Sequence, residues 1–257
     1  MTRKSLLIAL GLAAVAAGAG LAQPTASKLS GYLRADDIDG AAVIGPPPAP
    51  DSPRGQADRQ IYLQTRGLAG SIRWGAAIRD NDLWRGGAVE RYACALGERI
   101  DAQATPLTFR MLQRIELDVR TVGTPPKDHF NRTRPLIGDD RPICVPREDW
   151  MRTNASYPSG HAMAGWAWAL VLSEIEPAKV GPLMEAGAAI GESRVICGVH
   201  YQSDVEAGRK LGAAMVARLH TEPQFLKDLA AARAELANDH AAPADCEVYG
   251  GARAATP

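Results

Sequence analysis

The chain is short of several things, and each shortage removes a class of function. Twenty-nine basic residues offset twenty-nine acidic ones, so the 257 residues carry no formal net charge. Without a global field there is nothing to steer nucleic acid or an anionic membrane, and any attraction for anions must be local. None of the four cysteines stands in a Cys-x-x-Cys pair, which argues against zinc or a redox dithiol. None is followed six residues later by Arg, so a cysteine-based phosphoryl chemistry fails on spacing. There is no G-x-S-x-G elbow, no Walker loop and no H-E-x-x-H, and no obvious carboxylate cluster for two metals. Past residue 22 no run of 18 uninterrupted apolar residues occurs, which leaves no candidate membrane span. Alternating Val/Ile/Tyr patterns are also missing, as is any repeat of solenoid length.

What is present begins with a leader. Arg3 and Lys4 precede an Ala/Gly-rich apolar stretch from Leu6 to Leu21, and Gly20-Leu21-Ala22 offers a small-residue cleavage site. Residues 1–22 read as a cleaved signal peptide, and export to the periplasm is the expectation. Loss of Arg3 and Lys4 leaves 27 basic against 29 acidic residues, a net charge of −2. In an exported chain an even cysteine count favours two disulfides. Three connectivities are possible; Cys144–Cys197 is favoured because both flank the motifs below, and Cys94–Cys246 then follows. Residues 23–55, with Gly45-Pro46-Pro47-Pro48-Ala49-Pro50, read as an extended arm. Residues 56–240 read as a single helical domain and 241–257 as a tail. The periodicity predicts helices near 56–80, 83–97, 106–122, 125–133, 161–175, 178–192, 203–219 and 222–238. Pro126 suits a first helical turn, Pro135 forbids continuation, and Ser203 with Glu206 fits a capping box.

Three spaced elements carry chemistry. Lys127 and Arg134 are seven apart, close to two helical turns, so both could project from one face. Ser159-Gly160-His161 precedes an apolar helical stretch, and helix-start amides bind anions. Arg194 offers a planar fork for phosphate oxygens, and Asp204, four residues past His200, could fix that imidazole's tautomer and free its other nitrogen as a nucleophile. Taken singly, each piece reads as an ordinary surface or core fitting. Together they suit gripping a tetrahedral oxyanion and passing its phosphorus to a histidine. His129, His220 and His240 lack such partners in sequence and read as incidental.

The pattern Lys-x6-Arg-Pro, Pro-Ser-Gly-His and Ser-Arg-x5-His-x3-Asp resembles the type 2 phosphatidic acid phosphatase superfamily. The runs 156–161 and 192–204 are similar to the bacterial class A non-specific acid phosphatases. The resemblance implies an all-α bundle, often a homodimer, that hydrolyses phosphate monoesters without a metal or other cofactor. It implies that His200 forms a phosphohistidine, that Asp204 orients it, and that His161 protonates the leaving alkoxide and then activates water. It also implies that Lys127, Arg134, Arg194 and the Ser159 and Gly160 amides hold the oxygens, and that vanadate, phosphate or sulfate would occupy the same site. Residues 56–125, Glu116 among them, are expected to line the leaving-group pocket. Two alternatives share parts of the pattern. Vanadium-dependent haloperoxidases share the fold and the oxyanion site, and a non-catalytic anion-binding module would keep the cations. Relative to class A, the Cys94–Cys246 pair looks additional.

Overall fold

The computed structural model describes residues 29–238, 240–243 and 245–249. The predicted leader and the end of the predicted tail lie outside these residues. Among the described residues the chain is helical, with no strand. In chain order the helices are α1 (Gly40–Ile44), α2 (Pro53–Thr65), α3 (Ile72–Arg79), α4 (Gly87–Leu96), α5 (Pro106–Phe130), α6 (Trp150–Thr153), α7 (Gly160–Ile175), α8 (Val180–Ile196), α9 (Gln202–Leu219) and α10 (Pro223–Leu236). No described helix is long and apolar enough to cross a membrane.

Three of these helices form the centre, and small residues set their spacing. A Cβ on Gly208 of α9 would lie 2.4 Å from the Ser159 carbonyl oxygen, and one on Gly187 of α8 would lie 2.6 Å from the Ala169 Cβ. Only glycine permits backbones to come this close. The first turn of α7 is thereby pressed against α9. Around this centre lie Trp168, Leu172, Ile190 and Leu211, all fully buried. Trp168 buries its indole against α5 and donates Nε1–H to the Leu112 carbonyl at 2.9 Å, meeting the requirement that a buried donor be satisfied.

Four sequence expectations need correction. The predicted helix over 56–80 is two helices, because Gly70 adopts φ +80° and Ser71 then caps α3 by accepting the Trp74 N–H at 3.1 Å. The predicted break between 122 and 125 does not occur. α5 runs through Pro125 and Pro126 to Phe130, although interior proline costs about 3 kcal/mol. Pro126 is buried, its ring against Gly40 of α1, so packing outweighs the local penalty. α8 extends to Ile196, which puts Ser193 and Arg194 in its last turn. At α9 the reciprocal contact is made by Asp204, which accepts the Tyr201 N–H at 2.8 Å, while Ser203 and Glu206 turn to Asp58 and Arg54. Cys94 is bonded to Cys246 and Cys144 to Cys197, with Cα–Cα distances of 5.6 and 4.6 Å that suit disulfides.

Candidate active site

The central helices and the loops around them enclose a cleft of about 290 Å³. Its floor holds Lys127, Arg134, Gly160, His161, Arg194 and His200. Lys127 comes from the last turn of α5, which Asn131 closes in a left-handed conformation at φ 43°. Arg134 therefore lies beyond the helix rather than on its face. The two cations converge through the loop that follows, both donating to the Ala155 carbonyl, at 2.6 Å from Lys127 and 3.4 Å from Arg134. Asn154 fixes the Arg134 guanidinium further, accepting at its carbonyl at 2.9 Å and its side-chain oxygen at 2.8 Å.

His200 is nearly inaccessible, at 3% exposure. Its Nδ1 lies 3.3 Å from Asp204 Oδ2, and its Nε2 lies 3.2 Å from Arg134 Nη1. Since Arg134 can only donate, these partners assign the proton to Nδ1 and a lone pair to Nε2. Asp204 is itself held on both oxygens. Oδ2 accepts the Tyr201 N–H, and Oδ1 accepts from Arg132 Nη1 at 2.6 Å. Arg132 also donates to Asp58 Oδ2 at 2.9 Å, stacks 4.2 Å from the Tyr201 ring centroid, and reaches Ser203 Oγ. Asp58 accepts the Ser203 N–H at 2.9 Å. Arg132 and Asp58 thus form a buried layer behind the histidine that sequence reasoning missed.

Ser159 caps α7, its side chain accepting the Ala162 N–H at 3.4 Å, while its own N–H donates to the Asp204 carbonyl at 2.9 Å. That amide is therefore committed to α9. Gly160 and His161 line the cleft, and their amides belong to the first turn of α7, where no intrahelical acceptor exists. His161 is half-buried, with Nε2 2.9 Å from the Asn81 carbonyl oxygen. Arg194 donates from Nη1 to Asn81 Oδ1 at 2.8 Å, and its buried Nε has no acceptor among the described residues. Asn81 is a third residue that sequence reasoning missed.

Burial and crowding among like charges shape the electrostatics. Burial, with the Arg134 charge next, brings the Lys127 ammonium down to about 7. The same two causes bring the Arg194 guanidinium down to about 9, and burial brings Arg134 down to about 10. Both histidines are pushed well below the usual imidazole range, first by burial and then by Arg134 beside His200 and Arg194 beside His161. Burial raises Asp204, and Arg132 draws it back. A bound dianion would relieve every one of the cationic strains at once.

The other end of the cleft is of a different kind. Trp84, Glu116, Arg120 and Thr124 line it, while Trp150 of α6 and Asn154 just after that helix line the cleft beside Arg134, whose guanidinium lies 5.3 Å from the Trp150 ring. Trp150 and Asn154 fall outside the range 56–125. Arg120 stacks 5.2 Å from the Trp84 ring and donates to Glu116 at 2.7 Å. His129, His220 and His240 do not line the cleft; His220 pairs with Glu174 at 2.8 Å and His240 contacts the Glu235 carbonyl at 2.8 Å.

An all-helical scaffold thus brings two histidines, one of them carboxylate-backed, and three converging cations to one cleft, a set that could grip a tetrahedral oxyanion. Residues 118–226 match the PAP2 superfamily. The chain is 36% identical over 200 residues to an acid phosphatase of Zymomonas mobilis, covering 77% of this chain and 75% of that one. It is 38% identical over 207 residues to a non-specific acid phosphatase of Salmonella typhimurium, covering 78% and 81%. With a non-specific acid phosphatase of Providencia stuartii it shares 37% identity over 209 residues, covering 80% and 84%. Among solved structures, a transmembrane PAP2-type phosphatidylglycerolphosphate phosphatase from Bacillus subtilis aligns at a TM-score of 0.47 and 19% identity, over 69% of this chain and 87% of that one. The chain belongs to the PAP2 superfamily and, within it, to the acid phosphatases that these relatives represent.

Proposed function

We propose that this phosphatase hydrolyses phosphate monoesters through a phosphohistidine at His200. One observation carries the reading: His200 is backed at Nδ1 by Asp204 while Nε2 points into the cations. Nε2 attacks phosphorus, the N–P bond forms, and the P–O ester bond breaks with its electron pair going to the leaving oxygen. His161 gives that oxygen a proton. It then takes one from water, whose oxygen attacks phosphorus; the N–P bond breaks and phosphate departs. Lys127, Arg134, Arg194 and the Gly160 amide hold the three phosphoryl oxygens as charge builds.

The aromatic and polar mouth of the cleft makes no single demand on the alcohol, which supports broad specificity. An alcohol in place of water would give phosphotransfer. Export to the periplasm and a homodimeric state complete the proposal, the first resting on residues 1–22 and the second on family resemblance. The test is a panel of nucleotides, sugar phosphates, phytate and an aryl phosphate assayed with excess chelator. Hydrolysis of several chemically unrelated esters is expected, undiminished by the chelator. Activity that disappears with chelator and returns with zinc or magnesium would refute the metal-free mechanism.

A further inference from the structure

The loop from Asp80 to Gly86, between α3 and α4, brings one residue into contact with two working groups. The Asn81 carbonyl lies 2.9 Å from His161 Nε2, and Asn81 Oδ1 accepts from Arg194 Nη1 at 2.8 Å. Asn81 is exposed at the rim, yet its neighbours pin it from both sides. Asp80 is wholly buried and takes Arg91 on both oxygens, at 2.9 and 2.7 Å. Ser193, adjacent to Arg194 on α8, also donates to Asp80. On the other side Asp82 Oδ1 accepts the amides of Trp84 and Arg85 at 3.0 and 2.9 Å. The loop is thus tied to the helix that carries Arg194.

We propose that Asn81 is a positioning residue for both halves of the reaction, an inference that rests on the function proposed above. Its carbonyl takes the Nε2–H of His161 and leaves Nδ1 as the nitrogen that meets the ester oxygen. Its side-chain oxygen aims the Arg194 fork at the phosphoryl group. The chemistry of an amide matters in both roles. A neutral acceptor orients a guanidinium without neutralising it, whereas a carboxylate would compete with the phosphoryl dianion for the same charge. A carbonyl likewise accepts from both the neutral and the protonated imidazole, so it fixes the ring without holding the cation too firmly to give up its proton.

Two measurements test this. The first is the affinity of wild type, Asn81→Ala and Asn81→Asp for inorganic phosphate, with thermal unfolding followed in parallel. Phosphate should bind Asn81→Ala about 10-fold more weakly than wild type, the loss of one hydrogen bond to a charged group. Asn81→Asp should bind more weakly still, with unfolding temperatures close to wild type in both. A purely structural Asn81 would show the opposite pattern, lower stability with phosphate affinity unchanged, and would overturn the proposal. The second is the ¹⁵N resonance of the wild-type His161 imidazole, assigned by its loss in His161→Gln. The neutral ring should carry its proton on Nε2; a proton on Nδ1 would overturn the carbonyl's role. Wild type that fails to bind phosphate at all would instead sink the function on which the inference rests.

Discussion

The two histidines share one cleft but are held by different kinds of partner. His200 is nearly inaccessible and backed by a carboxylate, which is itself backed by Arg132 and then by Asp58. His161 is half-buried and meets the Asn81 backbone carbonyl at the rim. A carboxylate behind an imidazole stabilises the positive charge that appears when the opposite nitrogen forms a covalent bond. A neutral carbonyl holds the ring without trapping its proton, as suits a group that must give and take one. On the proposed mechanism, these surroundings separate a nucleophile from a proton carrier where residue type alone does not.

The largest expected effect breaks this asymmetry directly. His200→Ala should lose turnover for every ester, by about 10⁴-fold or more. His161→Ala should lose about 10²–10⁴-fold on alkyl phosphates, where the alkoxide needs the proton, and far less on aryl phosphates, where the phenolate leaves unaided. A leaving-group series on both variants reads this out, and equal sensitivity in the two would abolish the distinction.

Next in size is the layer behind His200. Arg132→Met would leave Asp58 and Asp204 buried without their shared cation, which should cost about 3–5 kcal/mol of stability in urea unfolding. Arg59→Met, which removes an ion pair from a half-exposed arginine, should cost well under half as much. Comparable losses from both would mean that the Arg132 layer is not specially coupled to the site.

How far the sequence discloses these parts follows from distance along the chain. His200 and Asp204 are one helical turn apart, and Ser159 to His161 are contiguous, so local geometry alone predicts their contacts. Asn81 meets Arg194 across 113 positions and Asp58 meets Ser203 across 145, distances at which no spacing rule operates. Arg132 lies between Lys127 and Arg134, yet nothing local says which carboxylate it will find. The helices were legible where no local signal opposed the periodicity, as at α7 and α10. They were misread where tertiary packing overrode a local signal. Pro125 and Pro126 argue for a break, but α5 continues through them, with Met111, Leu112, Ile115, Val119 and Val122 buried along it and Pro126 packed on Gly40.

A smaller effect separates the cations from the histidines. Lys127 is lowered to about 7 from an ordinary 10.5, so burial disfavours its cation. A phosphate dianion favours that cation, and binding between about pH 7 and 10.5 should therefore take up protons, with affinity falling as pH rises through this window. Calorimetry in buffers of different ionisation enthalpy measures the uptake directly. Proton release on binding would contradict the charge balance described for the cleft.

The claim that His200 is the nucleophile is tested most directly by acid-sensitive phosphoenzyme trapping. Wild type and both histidine variants are mixed with a labelled aryl phosphate, denatured under alkaline conditions that preserve phosphohistidine, and digested. The account predicts label on the peptide containing His200 in wild type. It predicts the same label, longer lived, in His161→Ala, where water is no longer activated, and none in His200→Ala. Label that persists in His200→Ala, or that maps to His161, would contradict it.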